Sequence, residues 1–294
     1  MGLFKKRGQP EQAPETPAEL KDSRGLNVSV VLVQELARKG DIPGLVSSAV
    51  SPDKEVRQVA VKALGDAGGP QAQKALRSVF DTDADPAIRQ LAADGLAALG
   101  DFQPLRHLLT TGPPEAQTRA VKVLLGRGES GAGILNEVLD SDVPGVAMRI
   151  LRVIQMHFRL GSDQQFAELR RTLAPVVPRL LRILERADIA SGAKSCNELV
   201  ATTVATLGSI RDPSAVPVLD HLFGRILVKV ERDGVQRELV DDGVLKASYV
   251  STLDEVKHII RAIVACGGEE EKYTSMIKPW IPPPAPRPAS PSGQ

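Results

Sequence analysis

Aromatic side chains are scarce in this chain of 294 residues, where Phe, Tyr and Trp together make up 3% of the sequence. Pockets for large ligands are usually lined by aromatic rings, so this scarcity argues against a protein built around a deep pocket. The apolar share is nevertheless 42%, which is enough to bury a sizeable core. It consists mainly of Ala, Val, Leu and Ile, whose sizes suit close packing of helix on helix.

Cysteine, net charge and long apolar runs are also in short supply. Cys196 and Cys266 belong to no CxxC motif or cysteine–histidine cluster, which predicts two buried thiols in a reducing compartment. The formal net charge of +1 argues against a general nucleic-acid binder. Because no run is long enough for a membrane span and no signal-peptide core is present, the sequence predicts a cytoplasmic protein without stable membrane insertion. Residues 3–7, Leu-Phe-Lys-Lys-Arg, leave weak peripheral membrane contact as an alternative to a solvated tail.

The two ends differ in kind from the middle. Residues 1–23 offer Pro, Glu, Gln and Lys with almost nothing to bury, and residues 278–294 are rich in proline. Both compositions are typical of disordered tails. The predicted folded part is therefore 24–277.

One amphipathic template recurs through this folded part. Apolar residues at i, i+3, i+4, i+7 and i+8 form one stripe of a helix. We take the central residue of each copy as its marker, and the markers are Ala60, Ala92, Ala120, Ile150, Thr203 and Ile260. The first four recur about every 30 residues, the period of a two-helix solenoid repeat. Shorter apolar runs between the markers supply the first helix of each pair, and neighbouring pairs must stack because none can bury its own face.

Capping residues indicate helix starts independently of this pattern. A side chain that accepts from orphan amides precedes a proline that has no amide to satisfy, and Thr252 with Glu255 has the spacing of a capping box. The cap-proline steps are Ser51-Pro52, Asp85-Pro86 and Asp212-Pro213.

Two stretches carry a resemblance to a known family. VRQVAVKALGDAGGPQAQKAL (56–76) and ELVATTVATLGSIRDPSAVPVL (198–219) resemble HEAT-like repeats of the phycobilisome-lyase type, which read Ala-Leu-Gly, a short gap, Asp-Pro and Ala-Val-Pro. The resemblance implies an all-α fold and a role in protein binding. We expect a right-handed α-solenoid of about six HEAT-like helix pairs, with residues 25–39 capping the first pair.

Two intervals between markers exceed the period, and extra residues in solenoids usually emerge as loops on one face, often the binding face. The first insertion, about 159–175, precedes a basic cluster on one helix face. Its members are Arg179, Arg182 and Arg186, with Arg170 and Arg171 upstream. A solvated face with nearby glutamates is the alternative to a binding surface.

The second insertion, 225–243, is predicted to be a small β-hairpin in the last pair. Residues with high β-propensity flank Asp233-Gly234, a favoured two-residue turn. The predicted cross-strand pairs are Lys229–Glu238 and Val228–Leu239. A first helix that runs on to Arg232 and ends in a loop is the competing interpretation. We expect the hairpin to contact a partner rather than to stabilise the solenoid.

A row of cations follows the markers of the second helices. Two residues after the marker, three of four copies carry a cation, Lys62, Lys122 and Arg152, and Asp94 interrupts the row. If second helices line the concave side, this row suits a partner protein with an acidic segment. The ordinary solubility of exposed lysines is the alternative explanation.

Side chains for catalysis form no constellation in the sequence. The four histidines, His107, His157, His221 and His258, are scattered, and none of the HExxH, GxxxxGK[ST], GxSxG and GxGxxG motifs occurs. The sequence therefore predicts a non-catalytic protein-binding scaffold or adaptor that has no cofactor or metal. A bilin-lyase-like enzyme or a chaperone of a tetrapyrrole-carrying protein is the first alternative, which the few aromatics oppose. A HEAT-like DNA-binding or repair protein is the second, which the position of Trp280 in the tail opposes.

Overall fold

The computed structural model describes residues 28–140, 145–187, 194–233 and 247–278, and all regular structure there is helical. The all-α prediction is confirmed. Two 3₁₀ turns, Ala174–Val176 and Pro213–Ala215, precede α11 and α13. In chain order the helices are α1 (Val28–Lys39), α2 (Ile42–Ser48), α3 (Lys54–Ala67), α4 (Gly69–Thr82), α5 (Pro86–Ala98), α6 (Gln103–Thr111), α7 (Pro114–Leu125), α8 (Gly128–Leu139), α9 (Val146–Leu160), α10 (Asp163–Leu173), α11 (Val177–Arg186), α12 (Lys194–Ile210), α13 (Val216–Asp233), α14 (Ala247–Ala265) and α15 (Glu270–Ile277).

The chain divides into two compact units, and the boundary after Pro104 falls in the first turn of α6. In the first unit, α3 packs against α1, α2, α4 and α5. In the second unit, α9 packs against α7, α8 and α12, and α14 packs against α12, α13 and α15. Within each unit, the helices that carry the markers therefore lie side by side.

The markers form the centre of these helix contacts. All six lie in the predicted second helices and are buried, because the i, i+3, i+4 stripe of each helix faces its neighbours. Thr203 is polar and yet fully buried. Its hydroxyl donates to the Leu199 carbonyl oxygen at 2.7 Å, which removes the cost of burying an unpaired hydroxyl.

Small residues set how closely two pairs of marker helices approach. A Cβ atom built on Gly65 would lie 3.1 Å from Gly95 Cα, and one built on Gly208 would lie 3.1 Å from Ala262 Cα. Gly65 and Gly208 are the glycines of the Ala-Leu-Gly and Thr-Leu-Gly segments in the two repeat stretches. The repeat glycine therefore brings α3 against α5 and α12 against α14.

The capping predictions are right in two places and wrong in two. Asp85 accepts from Ala87 N, and Asp212 accepts from Ser214 N, as expected. The cap of α3 is Asp53 rather than Ser51, and its carboxylate accepts from the amide of Glu55. Thr252 lies inside α14, which begins at Ala247, so no capping box starts a helix there.

The predicted loop at the first insertion is wrong, because residues 163–173 form α10. Ser162 and Gln165 make the capping box that starts this helix. The box is visible in the sequence and was the signal for a helix rather than a loop.

The hairpin prediction is wrong for its first arm. Residues 225–233 continue α13, which matches the competing interpretation of a long helix. Leu219, Leu222, Phe223, Ile226 and Leu227 are all buried and repeat the i, i+3, i+4, i+7, i+8 stripe, so helical burial outweighs β-propensity. The second arm, 234–243, lies outside the described residues.

Every described helix is too short or too polar to cross a bilayer. The predicted tails, apart from Lys278, lie outside the described residues.

Candidate functional site

Two open grooves lie on either side of the C-terminal half of α9, both within the second unit. Met156 and Leu160 line both of them. Leu160 is the last residue of α9 and leaves 79% of its surface exposed. Met156 and Leu160 therefore give the two grooves a shared apolar border.

The first of these, the α9–α12 groove, has a volume of about 550 Å³. Arg152 and Arg159 of α9 are exposed, and two exposed alanines of α12, Ala201 and Ala205, lie across from them. The other lining residues are Gln155, Met156 and Leu160 of α9, Thr202 of α12 and His258 of α14. The groove combines apolar side chains with two guanidinium groups in its lining.

The second, the α7–α10 groove, also measures about 550 Å³. Inserted helix α10 supplies Gln165, Phe166, Glu168, Leu169 and Thr172 to its lining. The ring of Phe166 lies 6.0 Å from that of Phe158, measured between centroids, and this contact holds α10 against α9. The first insertion thus forms one side of a groove.

Polar contacts fix the helices around the α9–α12 groove. Gln155 Nε2 donates to Thr206 Oγ1 at 3.2 Å and to Ser209 Oγ at 3.3 Å. Arg170 Nε of α10 donates to the Ser209 carbonyl oxygen at 3.0 Å. These bonds tie α9 and α10 to α12, so the groove is formed before any ligand enters.

The row of cations predicted after the markers is only partly brought together. Lys122 lines the α7–α10 groove and Arg152 lines the α9–α12 groove, so both flank the same stretch of α9. Arg152 also pairs with Glu198 of α12. Lys62 is exposed on α3, in the first unit. Asp94, the exception in the row, accepts from Gln90 Nε2 at 3.0 Å.

Some arginines of the predicted basic cluster on α10 and α11 make contacts with other helices, and others do not line a groove. Arg179 is half-buried and pairs with Asp140, the C-cap residue of α8. Arg170 is used in the contact with Ser209. Arg186 is exposed and Arg182 is half-buried, and neither lines one of the two grooves.

Two of the four residues predicted to pair in the hairpin lie on helix α13, and the other two lie outside the described residues. Val228 lies on α13 and is 63% exposed. Lys229 belongs to the same helix. Glu238 and Leu239 lie outside the described residues. Because Val228 and Lys229 are helical, the predicted cross-strand pairs Lys229–Glu238 and Val228–Leu239 have no strand on the α13 side.

Arg159 and Leu160 border the α9–α12 groove and are not among the residues predicted from the sequence. The signal was present, because both lie at the end of a helix whose apolar stripe closes at Ile154, and a leucine beyond that stripe is an exposed apolar residue. Across the described ranges, no three His, Cys, Asp or Glu side chains are grouped so that they could hold a metal ion.

Cys266 is buried against α12, and its thiol donates to the Leu207 carbonyl oxygen at 3.6 Å. Burial, and secondarily the charge of Asp212, raises the pKa of this thiol to about 11. The thiolate is the nucleophile in cysteine chemistry, so this environment suppresses reactivity at neutral pH.

With Cys196 replaced by Ser, we expect iodoacetamide to alkylate Cys266 at pH 8 at least about 100-fold more slowly than an exposed cysteine, because only about one thiol in 1,000 is ionised. The raised pKa stabilises the fold below about pH 9, and this contribution is lost as pH rises towards about 11. Mass spectrometry of labelled protein between pH 7 and pH 10 measures the rate. Labelling as fast as that of a free thiol would show that Cys266 is accessible.

Comparison with known proteins locates the repeat in the first part of the chain. Residues 42–125, from α2 to α7, match the family model of HEAT repeats. None of the curated proteins matches the chain. The crystal structure of one engineered protein has 20% sequence identity, covers 85% of this chain and 67% of its own, and gives a TM-score of 0.33. A second engineered protein has 18% identity, coverages of 81% and 85%, and a TM-score of 0.29. The chain is thus an all-α protein that matches HEAT repeats over residues 42–125.

Proposed function

We propose that this chain is a non-catalytic protein-binding scaffold or adaptor that works without a cofactor. The observation that carries the proposal is the surface of α9, where an exposed leucine lies between two grooves that hydrogen bonds and ring contacts hold in place. Two open grooves that share an apolar border suit a protein segment better than a small molecule. HEAT repeats commonly mediate protein interactions, and this supports the same function.

We infer a right-handed solenoid of about six HEAT-like helix pairs, and the side-by-side packing of marker helices within each unit supports it. The phycobilisome-lyase subtype and a cytoplasmic location stay predictions. We further propose that Lys122 and Arg152 contact the partner, and that Arg182, Arg186 and Val228 extend the surface within the second unit. Lys62, in the first unit, stays a predicted contact.

The test of this function is a saturable complex between two purified proteins. The full chain would be used as bait in the cells that produce it, and each recovered protein would be purified and titrated against the chain by calorimetry. We expect at least one protein to bind with a fixed stoichiometry. The proposal fails if no recovered protein binds saturably, or if the purified chain carries a stoichiometric tetrapyrrole or metal or turns over a small molecule.

A further inference from the structure

The α9–α12 groove has the charge of a site for carboxylates. Its lining carries two arginines and one histidine and has no Asp or Glu. Arg159 forms no ion pair with any described residue. Arg152 already holds one carboxylate, that of Glu198, which lies one turn before Ala201 on the facing helix. The groove therefore attracts negative charge, and Arg159 is its least neutralised cation.

The spacing of the two arginines favours a helical ligand. Arg152 and Arg159 are seven residues apart on α9, which places them on one face about 10.5 Å apart along the axis. Carboxylates at i and i+7 of a partner helix have this same separation. An extended strand presents same-face side chains about 6.6 or 13 Å apart, so it matches the two guanidinium groups less well.

The floor between the arginines is apolar and adaptable. Met156 lies one turn after Arg152, and Leu160 follows Arg159. Across from them, Ala201 and Ala205 are one turn apart and leave room above α12 for an incoming side chain. Flexible methionine side chains adapt to many apolar partners. A large apolar side chain placed between two carboxylates would therefore fit the groove.

We propose that the α9–α12 groove binds an amphipathic acidic helix of a partner protein, with carboxylates seven residues apart that reach Arg152 and Arg159 and an apolar residue between them over Met156. This inference rests on the proposed protein-binding function and names the chemistry of the partner segment. The groove is pre-formed by the Gln155 contacts, which lowers the entropy that binding must offset.

The probe is a library of short helical peptides with random charged and apolar positions, selected against the full chain. Peptides that bind should carry Glu or Asp at i and i+7 and one large apolar residue between them. We expect Arg159→Glu and Leu160→Ala each to weaken the selected peptides by about tenfold or more, as loss of a central contact does. Raised salt should weaken them as well, because charge attraction is screened.

A variant that is expected to raise peptide affinity distinguishes binding at this groove from non-specific binding. Glu198→Gln removes the carboxylate that competes for Arg152, so it should tighten peptide binding several-fold. Two matched controls lie in the first unit. Lys74→Glu makes the same change of charge at an exposed residue, and Val50→Ala shortens another exposed apolar residue. Both should leave the affinity unchanged, and circular dichroism should show all five variants folded.

The outcomes are distinguishable. Selection of basic or uncharged peptides overturns the proposal, as does full affinity in Arg159→Glu, a loss of affinity in Glu198→Gln, or binding of a DNA duplex that depends on Arg159. Peptides that bind the chain but ignore the groove variants overturn this site while protein binding itself stands. If no peptide is selected and calorimetry finds no protein partner either, the proposed function fails together with the inference.

Discussion

Gly131→Ala is expected to lower the free energy of unfolding of the second unit by about 3 kcal/mol. A Cβ atom at this position of α8 would overlap the carbonyl oxygen of Leu124 and lie 2.7 Å from its carbonyl carbon. Leu124 lies in the last turn of α7, and only two residues separate that helix from α8. Because the obstacle is backbone, no side chain can rotate away, and the whole α7–α8 contact has to open.

Gly133→Ala is the matched control, two residues further along the same helix. A Cβ atom built on Gly133 has no neighbour within 4 Å. Alanine loses less backbone entropy than glycine in a helix, so this variant should gain about 0.5–1 kcal/mol. Urea unfolding followed by hydrogen exchange of each peptide measures both effects, since the two units need not unfold together. Equal stability of the two variants would contradict the predicted crossing of α8 over Leu124.

Asp83→Ala is expected to lower the free energy of unfolding of the first unit by about 3 kcal/mol, because it leaves a largely buried arginine without its counter-charge. The side chains of Asp83 and Arg57 are only 7% and 16% exposed, and Oδ2 accepts from Nε at 2.9 Å. The same guanidinium donates through Nη1 to the Ser51 carbonyl oxygen at 2.9 Å. Asp83 also accepts from the amide of Asp85, so it joins the end of α4 to the starts of α3 and α5.

Asp83→Asn keeps the size of the side chain but also removes the counter-charge and replaces one of the two accepting oxygens with an amide nitrogen, so it should cost nearly as much, about 2–3 kcal/mol. Glu137→Ala is a control at an exposed ion pair, with Arg106 at 3.8 Å, and should change stability by less than about 1 kcal/mol. Hydrogen exchange of α3 and α5 reports the loss. If all three variants unfold alike, the Arg57–Asp83 pair makes no special contribution.

The local pattern of the chain was enough to predict its helices and much of its core. Every marker from Ala60 to Ile260 is buried in a helix. Apolar residues with a 3.6-residue period lie on one face of a helix, and this face is buried against neighbouring helices. The errors arose where two local signals competed. β-Branched residues after Phe223 suggested a strand, whereas Ile226 and Leu227 continue the buried stripe of α13. At α10, the length of the insertion suggested a loop, whereas the capping box of Ser162 starts a helix.

The candidate site was harder to predict, because its residues are far apart in the chain. Arg152 could be assigned to the exposed side of a repeat helix from its position after the marker. Its pairing with Glu198, 46 residues later, could not. Ala201 and Ala205 look like ordinary helix formers in the sequence, and only their place across from Arg159 gives them a role.

The sequence by itself determined the helical fold, the stripe that each helix buries and the ends of several helices, since these depend on neighbours within a few residues. Only the tertiary structure determined where the grooves lie, which distant residues form ion pairs and at which glycines a side chain would not fit. Gly131 and Gly133 show the difference in the segment SGAGIL, where nothing local separates them. One meets the backbone of another helix and the other meets open space, because the neighbours of a residue in space are set by how helices cross.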